Sequence, residues 1–275
     1  MMAEIVGLFN KPINVRVVTG CVLSLALVAT PAVVARAESE PSEDQKTAEA
    51  EYQPPPDQKT ADKETKTNSG TTRGCDGGDI PLTVLASQNY IGQTTSTHPT
   101  FAWFVPESKL ELKFTIYSRG SDGNFTKVRS MSLQSSPGIM TLSPFPEGEP
   151  GLLVGKDYFW QVVILCDPSY PSSALVDIAQ IEVVEMPPDL QDKLDNAVDS
   201  AEKADLYAEA GFWYNALDEA LKLAEESKLG EVASALLEDL AQWEKPKPSQ
   251  ELTEEERESI EKRMGYLIEI ANVAR

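Results

Sequence analysis

Histidine is all but missing from this 275-residue chain: the one copy is His98. A Ser-His-Asp triad would have to be built on it. Yet it stands directly before Pro99 at the entrance to a β-patterned run, with no nucleophile-elbow sequence nearby. A turn or surface histidine is the expectation, and no catalytic set is. Cysteine is almost as scarce, with Cys21, Cys75 and Cys166. One imidazole and so few thiols leave no ligand set for a zinc site. Asp76-Gly77-Gly78-Asp79 lacks the ligand rhythm of an EF-hand loop and reads as a turn. Neither a metal nor a cofactor is therefore expected. Positive charge is the third shortage: 24 Lys and Arg stand against 44 Asp and Glu, for a net charge of −20 and a pI near 4.4. That balance excludes the basic footprint that nucleic acid requires. It also disfavours adsorption to anionic lipid heads.

There is a single long apolar run, Val17 to Val34, with Lys11 and Arg16 before it and Ala35-Arg36-Ala37 after it. Basic flank, apolar stretch and small-x-small site together predict an exported chain whose signal peptide covers residues 1–37. Ala35 and Ala37 mark the cleavage site, and no membrane attachment remains afterwards. The alternative is a retained anchor, since the stretch is close to the lower limit of a membrane span. Cleavage removes Cys21 and leaves an even pair, so a disulfide between Cys75 and Cys166 is expected. Closing a loop of that length stabilises a fold by roughly 4–5 kcal/mol in the chain-entropy model.

Residues 38–70 have almost no large apolar side chains and are rich in Glu, Lys, Thr, Gln and Pro, which predicts a disordered polar linker. Residues 71–186 carry short β-rich runs separated by Gly and Pro. Leu110, Leu112, Phe114 and Ile116 alternate with polar residues, as in an antiparallel strand with one wet face. Tyr158 to Cys166 is apolar on both faces except at Gln161, the pattern of a central strand. About seven such strands predict a two-layer antiparallel sandwich.

Pro187-Pro188 closes the β region. Helical spacing then runs from Leu190 to about Ala210 and is broken by Gly211. It resumes over Phe212–Glu226 and Glu231–Trp243, so residues 187–244 are expected to form a helical hairpin or small bundle. Residues 245–275 add a Pro-containing link and a last helix opened by a capping box at Thr253 and Glu256. The fold class is α+β, β first and α second.

Three resemblances attach to these residues. Pro99-x-Phe101-x-Trp103 and Tyr158-x-Trp160-x-Val162 resemble the packing strands of fibronectin-type-III and immunoglobulin-like domains, which implies no activity. Tyr207 to Ala216 resembles the turn of one tetratricopeptide repeat. The order of export signal, spacer, Arg73-Gly74-Cys75, Pro-Thr-Phe-x-Trp, Tyr158-x-Trp160 to Cys166, and Tyr207 to Leu217 resembles an exported cyanobacterial family. That family is domain of unknown function number 928, over about residues 71–243, and it implies no ligand or catalytic residue.

The expected function is a non-catalytic protein–protein interaction or scaffold module of the periplasm or cell envelope. The adjacent Trp213 and Tyr214 form its candidate interaction patch, since neighbours on a helix do not both point inward, although packing between the first two helices is the simpler role for this pair. Its partner is an unidentified protein. A basic one would suit the acidic tail, although a solvated acidic face is the simpler reading. Carbohydrate or envelope-polymer binding is the alternative, with Tyr117 as an exposed aromatic. An unrecognised hydrolase using His98 or clustered carboxylates is third.

Overall fold

The computed structural model describes residues 51–62, 79–106, 110–120, 122–167, 169, 173–246 and 251–275. The expected signal peptide with Ala35 and Ala37 lies outside the described residues. So do Cys75, Asp76 to Gly78 and most of the expected linker.

Among the described residues, eight strands form two sheets. β1 (Thr83–Val84), β3 (Phe101–Val105) and β6 (Gly138–Leu142) make a three-stranded sheet in the order β1-β3-β6. The other sheet is five-stranded in the order β2-β8-β7-β4-β5, from β2 (Gly92–Thr94), β4 (Glu111–Arg119), β5 (Phe125–Gln134), β7 (Lys156–Leu165) and β8 (Leu175–Val183). All pairings are antiparallel except β2 with β8.

The alternation in β4 places Leu112, Phe114 and Ile116 in the core and leaves Glu111 and Lys113 exposed. β7 is the inner strand its composition predicts, with Trp160 opposite Ile116 of β4 and Ala179 of β8. The sheets meet through aromatic rings. Phe101 lies 5.1 Å from Phe114 and 5.0 Å from Trp160, and Trp103 stacks on Phe114 at 5.9 Å.

Among the described residues five helices follow: α1 (Pro188–Asn196), α2 (Ser200–Glu209), α3 (Trp213–Leu221), α4 (Gly230–Trp243) and α5 (Glu254–Val273). The expected single helix from Leu190 to Ala210 is two. Ala197 is extended, and Asp199 caps a fresh start by accepting from the Glu202 amide at 2.9 Å. The side-chain cap offers the backbone a new helix start where apolar spacing alone would continue the old one. At α5 the capping box of Thr253 and Glu256 is formed.

Two expectations about organisation are corrected. The division near residue 187 does not separate two cores. Residues of both sheets and of α2, α3, α4 and α5 belong to one buried cluster, because the inner layer of helices covers the sheet edge at β2. Nor is Glu51–Asp62 a free linker. Tyr52 is completely buried, Ala61 is buried, and the segment is pinned to both sheet and helices. A single aromatic anchor and backbone hydrogen bonds offset the ordering cost that the polar composition alone would not.

Candidate binding surfaces

The seam between sheet and helices is built on Trp213 and Tyr214, which open α3. Both are buried, Trp213 at 0% exposure and Tyr214 at 2%, so neither forms an exposed interaction patch. The expectation fails because the start of α3 is enclosed from more than one direction. The Trp213 indole donates to the Leu85 carbonyl at 2.9 Å and meets the Tyr52 ring edge-on at 4.9 Å. The Tyr214 hydroxyl accepts from the Trp160 indole at 2.8 Å and donates to the Gln180 carbonyl at 3.0 Å. Burial pushes its ionisation far up, so it stays a neutral donor. β2 can receive that ring because position 92 is glycine: a Cβ there would lie 2.8 Å from the Tyr214 ring. Asn215 completes the seam by accepting from Thr94 Oγ1 and the Thr95 amide, both at 2.9 Å.

On the opposite, outer face of the five-stranded sheet lies an apolar hollow of about 250 Å³, lined by Tyr117, Phe125, Phe159, Trp160, Gln161 and Ile178. Register builds it. Tyr117 of β4 sits across from Phe159 of β7, and Gln161 from Ile178 of β8. Between Ile116 and Tyr117 the pairing with β5 shifts by one residue, leaving Val128 as the extra residue of a bulge and re-aiming the strand end. Gln161, the one polar interruption of β7, donates to the Tyr117 hydroxyl at 3.4 Å. Phe125 is 45% exposed. Its ring stands edge-on to Phe159 at 4.8 Å and carries the Arg119 guanidinium 5.7 Å from its centroid.

A second hollow, about 500 Å³, lies between β6 and the turn after α3, with Thr100, Met140 and Lys222 on its wall. Both of its lysines are already engaged, Lys222 by Asp218 at 3.1 Å and Glu219 at 2.8 Å and Lys228 by Glu225 at 3.7 Å, so it offers no uncompensated cation for an anion.

The remaining titratable groups are placed structurally. His98 bonds Thr97 Oγ1 and the Glu149 carbonyl, both at 2.9 Å, and its ring meets Phe145 edge-on at 6.2 Å. Both nitrogens are thus used, Nδ1 within its own loop and Nε2 in tying that loop to the one at Glu149. Among the described residues no group of three or more His, Cys, Asp or Glu side chains gathers as a metal site, and no helix is long and apolar enough to cross a membrane. Cys166 follows the end of β7 and is disulfide-bonded.

The Asp205 carboxyl on α2 is pushed up to about 6, first by burial and then by Glu209, Asp199 and Glu202. Its folded value lies above the unfolded one. The penalty is therefore absent below the unfolded value near 4, grows as pH rises and is complete above about 6. Asp205→Asn is expected to raise Tm by about 1–3 °C at pH 7.5 and to change nothing at pH 3.5, since this site is largely solvent-screened. Thermal melts at the two pH values check it. An equal effect at both would contradict the electrostatic cause.

The hollow was legible only as the lone Gln161 and the outward-facing Tyr117. Phe125 and Phe159 join them through strand register, which no local motif announces. No curated protein is significantly similar to this chain. A solved structure it resembles is the third fibronectin III domain of the human KIAA0343 protein, with 13% identity, a TM-score of 0.23, and coverage of 43% of this chain and 94% of that one. A TM-score that low carries no argument. The family model described as Domain of Unknown Function (DUF928) matches residues 68–248, and the chain belongs to that family.

Proposed function

We propose that this is a non-catalytic protein-interaction module of the periplasm or cell envelope, and that its contact surface is the outer-face hollow at Tyr117, Phe125 and Phe159. The observation that carries the reading is the state of the aromatic rings. One face of Phe125 carries Arg119, and Phe159 is met edge-on by Phe125. What stays open is a small apolar hollow with one carboxamide, which suits an apolar side chain of a protein partner. The half-buried Tyr117 on the wall of the hollow keeps carbohydrate binding as the second reading, since its ring and hydroxyl suit a sugar face.

The rest of the reading has its own supports. The apolar run ending at Ala35 and Ala37 supports export, and the bonded state of Cys166 supports its pairing with Cys75. The contact between α2 and α3 across Gly211 supports a tetratricopeptide-like hairpin.

Capture from an envelope extract tests the proposal, with the full mature chain as bait. Phe125→Ala and Tyr117→Ala each reduce retention of the partner at least about tenfold, the size expected for an interface hot spot. Val198→Ala, at a site 86% exposed on the helical side, leaves it unchanged. Retention of a polysaccharide that only Tyr117→Ala abolishes supports the second reading. Equal retention by all baits overturns the surface.

A further inference from the structure

Glu51–Asp62 crosses the molecule as a strap held at its two ends. At the first end the Tyr52 ring enters a groove beside Trp213. The Tyr52 amide donates to Asp239 Oδ2 at 2.8 Å, and the Tyr52 carbonyl accepts from the Trp243 indole at 2.8 Å. Pro55 then lies on Gly211, where a Cβ would come within 2.5 Å of its ring. At the other end the strap pairs with the loop leading into β2: the Ile91 amide donates to the Lys59 carbonyl at 2.9 Å, the Ala61 amide donates to the Asn89 carbonyl at 3.1 Å, and Thr60 and Tyr90 form an isolated antiparallel bridge. A ring seated against an aromatic wall and main-chain pairing with an extended segment are two recurring ways of recognising a peptide, here in series. The groove residues all fall within the family match of 68–248, and the strap falls outside it.

The strap is also the less securely held partner. Its middle, from Gln53 to Thr60, is exposed or half-buried throughout. The buried hydroxyls of Tyr52 and Tyr90 influence one another electrostatically, but neither reaches hydrogen-bond geometry with any partner. An unsatisfied buried hydroxyl weakens the seating of the side chain that carries it. Few buried contacts and exposed backbone mark a segment that opens before the core does.

We propose that this groove is a binding site for an extended Tyr-Gln-Pro-Pro-Pro segment, that the strap is its displaceable resident ligand, and that the strap of a second copy of this chain is the occupant that replaces it. This proposal does not rest on the outer-face hollow. A tethered ligand acts at an effective concentration on the order of millimolar, so the strap stays in its own groove at micromolar protein. Exchange between copies takes over at millimolar protein or once the tether is cut.

The experiment introduces a protease site within residues 63–70 of the full chain and offers a fluorescent peptide of residues 51–62 before and after cutting. The cut protein takes up the peptide saturably, with apparent affinity about 100-fold tighter than the uncut protein, following the loss of the tether. A Tyr52→Ala peptide binds at least about tenfold more weakly, as an anchor residue should. A cut protein that keeps its strap and takes up no peptide, or one that unfolds on losing it, overturns the proposal.

The uncut chain gives a second readout. Hydrogen exchange at the Gln53 and Ala61 amides runs at least about 100-fold faster than at Phe114 and Trp160 if the strap opens on its own. Equal protection overturns it. At millimolar protein, light scattering shows a dimer that excess peptide dissolves. A monomer at that concentration removes the second copy as the occupant.

Discussion

Trp213→Ala is expected to lower stability by about 3–5 kcal/mol, the cost of truncating a fully buried indole and leaving its space only partly refilled. Trp213 is enclosed by Tyr52 on one side and β-sheet backbone on the other, and its N–H satisfies the Leu85 carbonyl. Removing it empties the cavity wall and leaves that carbonyl without its donor, two losses that reinforce each other. For a chain of this size the melting temperature falls by about 10 °C or more. Urea unfolding with matched slopes measures the effect. A loss below about 1 kcal/mol would mean that Trp213 is a surface residue.

Arg263→Ala is the second large effect, about 3–5 kcal/mol, because it breaks a buried ionic cluster from one side only. From α5 the guanidinium reaches Glu244 at 3.1 Å and Asp177 at 3.5 Å, and it donates to the Val84 and Ala86 carbonyls at 3.0 and 2.6 Å. Both carboxylates are buried and hold more than the arginine. Asp177 accepts from the Val84 amide at 2.7 Å and from Gln88, and Glu244 accepts from the Gln88 amide at 3.0 Å. The cluster therefore ties the last helix to β1, β8 and the loop between β1 and β2. Without the cation two buried carboxylates face one another. Arg263→Ala with Glu244→Gln is expected to recover part of the loss, a coupling that a double-mutant cycle reads directly. Additive losses would show that the arginine contributes packing alone.

Strong local patterns account for what the chain disclosed before folding. β4 announced its core face by the alternation of Leu112, Phe114 and Ile116, although Thr115 on the other face is buried too, and β7 announced its inner place by having Gln161 as the sole polar interruption between Tyr158 and Leu165. Thr253 and Glu256 marked the start of α5 because a capping box is a local, reciprocal pair of hydrogen bonds. β2 was silent, since three residues, Gly92–Thr94, paired in parallel with β8, carry no alternation to detect. The break between α1 and α2 was hidden because apolar spacing continues through Ala197 and Ala201 while Asp199 restarts the backbone.

The strap and the seam were illegible for a related reason. In Glu51–Asp62 one tyrosine does the anchoring amid polar residues and prolines, and averaged composition discards it. Trp213 and Tyr214 differ by about 100° around α3, so a helix buried on one face would expose one of them. A helix start wedged between strap, sheet edge and neighbouring helices buries both. Tyr117 kept its outward placement, but its partners Phe125 and Phe159 come from other strands and depend on register.

The claim on which the choice of surface depends is that sheet and helices share one core, so that Trp213 and Tyr214 are seam rather than surface. Thermal unfolding of the intact chain, followed at once by helical far-ultraviolet signal and by tryptophan fluorescence, tests it most directly. One coincident transition in both signals is the predicted result, as a two-state unit requires. A helical signal that melts well before the sandwich, with indole exposure at the first step, would show a separable helical domain and return the contact surface to α3.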